Sequence, residues 1–490
     1  MKIQTPTGME VFMRAYTKQY INGQWVESSG ESVLTNCNAY TGEALYSYRS
    51  ASPADVDAAY EAAEAAQKQW GKLRPDEQQA VLERLLEAFD YYKDDIFDVL
   101  STEAGCTVAK CAYEYATCKD FVKEVMSFPH MMEGKIQPSV TPGKANYVFK
   151  MPKGVIGVIA PWNVPLVLSI RSVLPAIATG NAVVLKPASN TPGSAFLLAE
   201  IFERAGIPAG LFNVIAGRGS EIGDYFVAHP IPRLISFTGS TEVGRRIGEL
   251  ACGHLKDVSL ELGGNNVMLV LADADIKRAA AAAKFGGYFN QGQVCMGINR
   301  VICVKEVYAD FIEALKAELK DVKVGDPRDP EVFVGPIIDD IQRRHVEDCI
   351  AGSIAAGCTV ALEGKTVGNC IYPWILSDVT MDMPTANCEV FGPVVSVIRA
   401  EDEDNAIAIA NDTDYGLSGS VFTRDLYHGI QVAKRIDTGM VHVNDQSIND
   451  EPNVMFGGVK QSGIGRFNGK WVIDKFTTDH WISVQEEYRF

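Results

Sequence analysis

Cys295 closes the run Phe289-Asn290-Gln291-Gly292-Gln293-Val294-Cys295 and lies downstream of Glu261-Leu262-Gly263-Gly264. A thiol that attacks a carbonyl carbon carries the product as a covalent acyl group, and a second group must then activate the water that releases it. Glu261 is the candidate for that group, because the glycine pair after it lets backbone and ligand approach closely beside a carboxylate. Asn163, in Pro161-Trp162-Asn163, carries an amide able to donate to a developing oxyanion, a contact worth roughly 3 to 4 kcal/mol in a transition state. Taken singly, each has a plainer reading: a buried structural thiol, a strand-end carboxylate, a loop asparagine bonded to its own backbone.

These groups can act together only if a scaffold brings them to one edge. After Val155–Ala160 the chain alternates between strands NAVVLK, LFNVI, RLISFTGS and DVSLEL and helices SAFLLAEIFERAG, SEIGDYFVAH and TEVGRRIGELA. That alternation predicts βαβ units on a parallel sheet, whose ligands sit at the carboxyl ends of the strands. Those ends carry Asn163, Lys186, Gly217 to Gly219, Gly239-Ser240 and Glu261. Pro187 stops the strand after Lys186 and leaves the lysine at the lip, where it can bond a ribose or phosphate; a snorkelling surface lysine would look the same. The cluster Gly217-Arg218-Gly219-Ser220-Glu221-Ile222-Gly223 opens a helix as a dinucleotide loop would, without the GxGxxG spacing. Gly364-Lys365-Thr366 and Gly469-Lys470-Trp471 fail as P-loops, which disfavours ATP hydrolysis.

Residues 53–127 read as helical without visible chemistry, with Cys106, Cys111 and Cys118 as small core residues. A hairpin is expected near 130–150, a second α/β stretch around and after Cys295, and a closing aromatic strand, FTTDHWISVQEEYRF, that needs another chain or element to cover it. At 490 residues the chain predicts roughly three units of about 150 residues, and 47% hydrophobic with 22% charged residues is ordinary globular usage. A net charge of −17 argues against nucleic acid and anionic membrane surfaces as partners. No h-region or cleavage site appears near the N-terminus and no stretch approaches about 18 apolar residues, so the expected location is cytoplasmic. The cysteine count of 11 is odd and unaccompanied by a secretory signal, so reduced thiols are expected. With no CxxC, HxxxH or HExxH, no metal is expected.

The set PWN, KPAS, FTGS, ELGG, FNQGQVC, EVFGP and FGGVKQSGIGR, in this order along nearly the whole chain, resembles the NAD(P)-dependent aldehyde dehydrogenase superfamily. The resemblance implies an α/β fold: a Rossmann-like cofactor domain (1–129 and 151–262), an α/β catalytic domain (263–470) and a small β oligomerisation domain (130–150 and 471–490), assembled as a homodimer or homotetramer. It implies that Cys295 attacks an aldehyde, that Asn163 and the Cys295 N–H hold the oxyanion, that hydride leaves to a nicotinamide, and that Glu261 activates the hydrolytic water. Lys186 is implied for the adenine ribose, Gly219 and Ser240 for the pyrophosphate, and Glu389 and Phe391 for the nicotinamide ribose and ring. The same motifs assign Ile159, Ala160, Pro161, Trp162, Ala188, Ser189, Gly223, Phe237, Thr238, Gly239, Val243, Leu262 and Gly263 to the cofactor's surroundings.

Ser189 departs from the glutamate often found there in NAD-selective relatives. A serine does not repel a 2′-phosphate, so NAD and NADP are both expected to serve. The stretch SINDEPNVMFGGVKQSGIGRFNGKW is most similar to benzaldehyde, vanillin and salicylaldehyde dehydrogenases, which implies an aromatic aldehyde. Val164, Leu168, Arg171, Tyr288, Phe289, Val294 and Phe456 are the expected pocket, with Arg171 either paired to a carboxylate such as Asp450 or facing a polar ring substituent. Two rivals remain: an acylating enzyme that hands the thioester to coenzyme A, against which Glu261 argues, and a silent scaffold of the same fold.

Overall fold

The computed structural model describes residues 14–486, together with the backbone pairing of Lys2–Gln4 with Glu10–Phe12. The last four residues of the expected closing strand, 487–490, and much of the N-terminal segment searched for a leader lie outside the described residues.

Five parallel strands form the centre of the first sheet: β1 (Val155–Ile159), β2 (Ala182–Lys186), β3 (Phe212–Val214), β4 (Leu234–Thr238) and β5 (Asp257–Glu261). All but the first residue of β5 and the last of β1 are buried, as expected for parallel strands covered on both faces. Their order is β5-β4-β1-β2-β3, so the winding reverses on either side of β1 and opens a crevice beyond its carboxyl end. Register levels that edge: Lys186 and Phe237 pair with Ile159, and Thr238 pairs with Glu261. Helices α1 (Pro165–Ala178), α2 (Pro192–Ala205) and α3 (Thr241–Gly253) follow β1, β2 and β4. Where one helix was expected over 220–229, a wide π turn at Gly219–Gly223 precedes a short helix, Asp224–Ala228.

The second sheet has seven strands, with Asn266–Val270 and Ile298–Val304 at its centre. Its own apolar core is distinct from that of the first sheet. The chain from Ile448 to Phe476, largely inside the range expected for the catalytic unit, packs on the first core instead. Gly463–Ile464 adds an antiparallel strand beside β5, and the Leu262 N–H donates to the Ser462 carbonyl at 3.0 Å. The expected hairpin and closing strand meet in one antiparallel sheet: Thr477–Gln485 pairs along Lys144–Pro152, which also pairs with Lys135–Gln137. Among the described residues no helix is long and apolar enough to cross a membrane.

Candidate active site

Glu261 ends β5 with 2% of its surface exposed, and neither carboxylate oxygen has a hydrogen-bond partner. Burial raises it to about 7, against the pull of Arg171 and Arg466. Gly457 leaves room for it, since a Cβ there would stand 3.2 Å from Glu261 Oε1.

Cys295 is delivered by a turn that the backbone resists. After the helix Ile276–Tyr288, Asn290, Gln291 and Gly292 all take left-handed φ, at 51°, 59° and 71°. Each such non-glycine residue costs on the order of 1 kcal/mol or more, so the surroundings must hold the turn. The amides of the motif do this. Asn290 Nδ2 donates to Asn163 O at 3.1 Å and Gln293 O at 3.2 Å, and Gln291 Nε2 to Pro336 O at 3.0 Å. Gln291 Oε1 accepts from Gly335 N, and Gln293 Oε1 from Ile338 N. Asn266 Nδ2 donates to Cys295 O at 2.7 Å. The glycine pair after Glu261 belongs to the same construction: a Cβ on Gly264 would lie 2.6 Å from Cys295 O, and one on Gly263 2.3 Å from Glu389 Oε2. The Cys295 thiol is pushed up to about 12 by burial, opposed by Arg171 and reinforced by the carboxylates of Glu389, Glu261 and Asp450. It rests protonated and needs a base. Asn163 Nδ2 donates to Gln293 O at 3.0 Å and keeps a second N–H free for an oxyanion.

The cofactor candidates line the crevice beyond β1. Ile159, Ala160, Pro161 and Trp162 leave β1; Lys186, Ala188 and Ser189 leave β2; Phe237, Thr238 and Gly239 leave β4; Glu261, Leu262 and Gly263 leave β5. Ser240 caps α3, accepting from Val243 N at 3.5 Å, with Val243 exposed beside it. Lys186 Nζ is buried against one weak contact, Pro187 O at 3.5 Å, and burial lowers it to about 8. Gly219 and Gly223 face open space, with nothing within 4 Å of an added Cβ. Glu389, raised to about 7 by burial, accepts from Gly264 N at 2.9 Å, and Phe391 meets Trp162 edge-on at 5.4 Å. A buried cation lacking a strong acceptor, an open glycine cradle and a helix N-terminus fit a dinucleotide.

Val164, Leu168, Arg171, Phe289 and Val294 line a narrow cavity that contains Cys295. Tyr288 does not: its ring is buried in the second core and its hydroxyl donates to Trp374 O at 2.9 Å. Phe289 turns to the cavity at the helix end, so its neighbour turns away. Phe456 also lies outside the lining, stacked 4.2 Å from the Arg171 guanidinium. Arg171 is 1% exposed and pairs with Asp450 at 3.4 Å, leaving Nε and Nη2 without acceptors. The remaining lining residues include Lys110, Tyr113, Met296 and Ile448. Lys110 and Tyr113 come from the helix Val108–Val125, in the region expected to be free of chemistry. Their one signal in sequence is Lys110 and Glu114 a helical turn apart among apolar neighbours and thiols. Among the described residues no group of three His, Cys, Asp or Glu side chains is placed to hold a metal.

The model of the aldehyde dehydrogenase family matches residues 25–482. A vanillin dehydrogenase of Corynebacterium glutamicum is 49% identical over 472 residues, covering 96% of this chain and 98% of the relative. The crystal structure of an NAD-dependent benzaldehyde dehydrogenase from the same organism has a TM-score of 0.88 at 46% identity, covering 96% of this chain and 98% of the other. That of an E. coli NADP-dependent enzyme has a TM-score of 0.93 at 34% identity, again covering 96% and 98%. With matches of this extent the chain belongs to the aldehyde dehydrogenase family, and it is an aldehyde-oxidising enzyme dependent on a nicotinamide cofactor.

Proposed function

We propose that the substrate is an aromatic aldehyde of the benzaldehyde or vanillin type, oxidised to its carboxylic acid with Cys295 as nucleophile and Glu261 as base. The observation that carries this reading is the Glu261 carboxylate, buried and unbonded at the strand edge, within electrostatic reach of a thiol that rests protonated. Glu261 takes the thiol proton as sulfur bonds to the aldehyde carbon, and Asn163 with the Cys295 N–H receives the negative oxygen. The nicotinamide, when bound, would supply the acceptor for the hydride that the thiohemiacetal carbon gives up in becoming the Cys295 thioester. After passing its first proton to solvent, Glu261 takes a proton from water, whose oxygen bonds to the acyl carbon as the carbon–sulfur bond of the Cys295 thioester breaks, and returns that proton to the Cys295 sulfur. The apolar slot between Phe289, Val164 and Leu168 suits a flat ring, and the relatives named for vanillin and benzaldehyde support that choice.

Lys186 would hold the adenine ribose, Gly219 and Ser240 the pyrophosphate, and Glu389 and Phe391 the nicotinamide side. Ser189 brings no carboxylate to the ribose, which supports use of NADP as well as NAD. Initial rates for benzaldehyde, vanillin and aliphatic aldehydes with each cofactor test substrate and coenzyme together. Cys295→Ala abolishes oxidation, and Glu261→Gln slows both the first-turnover burst of reduced cofactor and the steady rate, because the same base serves attack and hydrolysis. Steady turnover by Cys295→Ala would sink the mechanism, release of acyl-CoA in place of free acid would overturn the hydrolytic half, and cofactor binding without turnover would favour a silent scaffold.

A further inference from the structure

Behind Asn163 lies an ion pair of Lys110 and Glu114, 1% and 0% exposed, that the proposed chemistry does not use. Lys110 Nζ donates to Glu114 Oε1, to the Asn163 carbonyl at 3.3 Å and to Cys106 Sγ at 3.7 Å, which occupies all three of its protons. Glu114 Oε2 accepts from Leu166 N at 3.0 Å and Val167 N at 3.2 Å, the first free N–H groups of α1. That helix has no cap of its own, since its N-cap is Val164 and its first residue is Pro165. The pair therefore grips the chain on both sides of Val164. Asn290 Nδ2 grips the same Asn163 carbonyl from the nucleophile's loop.

A buried ion pair is a poor device for stability, because desolvating two charges offsets most of their attraction. It is a good device for fixing a position, because an unpaired buried charge tolerates little displacement. We infer that Lys110, held by Glu114, is the positioning residue that sets the Asn163 amide where the oxyanion forms. The inference rests on the proposed role of Asn163 and names the group that keeps that donor in register with Cys295.

The test compares two reactions of Cys295. Hydrolysis of p-nitrophenyl acetate passes through a tetrahedral oxyanion; alkylation by iodoacetamide does not. Lys110→Met is expected to slow ester hydrolysis and aldehyde kcat by about 100-fold, the cost of displacing a reacting group by an ångström, while alkylation stays within about twofold. Adding Lys110→Met to Asn163→Ala should then cost no more than about threefold, because the donor it positions is already gone. Losses that multiply, or alkylation that falls in step with hydrolysis, would overturn the inference. If Lys110→Met fails to fold, the paired replacement Lys110→Met with Glu114→Met leaves no charge unpaired, and wild-type ester hydrolysis in that protein would equally overturn it. Persistent activity in Cys295→Ala would instead discredit the underlying mechanism, so the two failures are distinguishable.

Discussion

Burial disfavours charge on both Cys295 and Glu261, and that determines what pH does to each. Glu261 rises to about 7 from an ordinary 4.5 mainly through burial, so the native state keeps a proton that the unfolded chain has lost. Stability is therefore expected to fall as pH climbs from about 4.5 to 7, the reverse of a salt-bridged carboxylate. Glu261→Gln should stabilise the fold by about 3 kcal/mol at pH 8 and by little at pH 4, read as the difference in chemical denaturation at the two values. A pH-independent difference would refute burial as the cause. The rate of aldehyde oxidation should rise through about pH 7 as the base ionises, and Glu261→Gln should lose that limb. The chemical types at 163, 261 and 295 were legible in sequence because each sits in a distinctive motif. Tyr288 was misread as lining because motif proximity does not say which way a side chain turns at a helix end. Lys110 was missed because a charged pair inside a helix looks like a solvated face until its burial is known.

At the scale of elements, the FNQGQVC loop is less a reactive sequence than a set of ties around three left-handed residues. Sequence showed the amides but not their partners, which come from loops at 105, 163, 335 and 338. The alternation that places β1 to β5 was readable because burial on both faces makes each strand an apolar run. The wide turn at Gly219–Gly223 has no comparable signature. Two glycines with opposite surroundings separate nucleophile placement from cofactor binding. In Gly264→Ala the new methyl would stand 2.6 Å from Cys295 O, so kcat should fall by about 100-fold with a stability loss of about 1 to 3 kcal/mol. In Gly219→Ala the methyl meets no protein atom, so the melting temperature should hold while the KM for cofactor rises severalfold, through crowding of the bound phosphates. Equal effects on kcat from both variants would show that Gly264 does not brace the nucleophile.

For the whole molecule the unresolved balance lies in the sheet formed by Lys135–Gln137, Lys144–Pro152 and Thr477–Gln485. Its inner strand, Lys144–Pro152, pairs along its whole length with Thr477–Gln485, yet Trp481 is 65% and Ile136 76% exposed, with Phe149, Met151, Ile482 and Val484 also at the surface. An exposed apolar patch of this kind is the type of surface that protein–protein contacts use. We propose that this sheet joins subunits in a homodimer or homotetramer. A buried tryptophan at such a contact is typically worth about 2 kcal/mol or more, and burying a new charge adds to that. Trp481→Glu with Ile482→Lys should therefore raise the dissociation constant by at least about 100-fold, shifting the mass measured by light scattering toward 53.4 kDa. Neither residue lines the Cys295 cavity, so Cys295 in the separated subunit should still be alkylated at the wild-type rate. An unchanged mass in the double variant would assign subunit pairing to another surface.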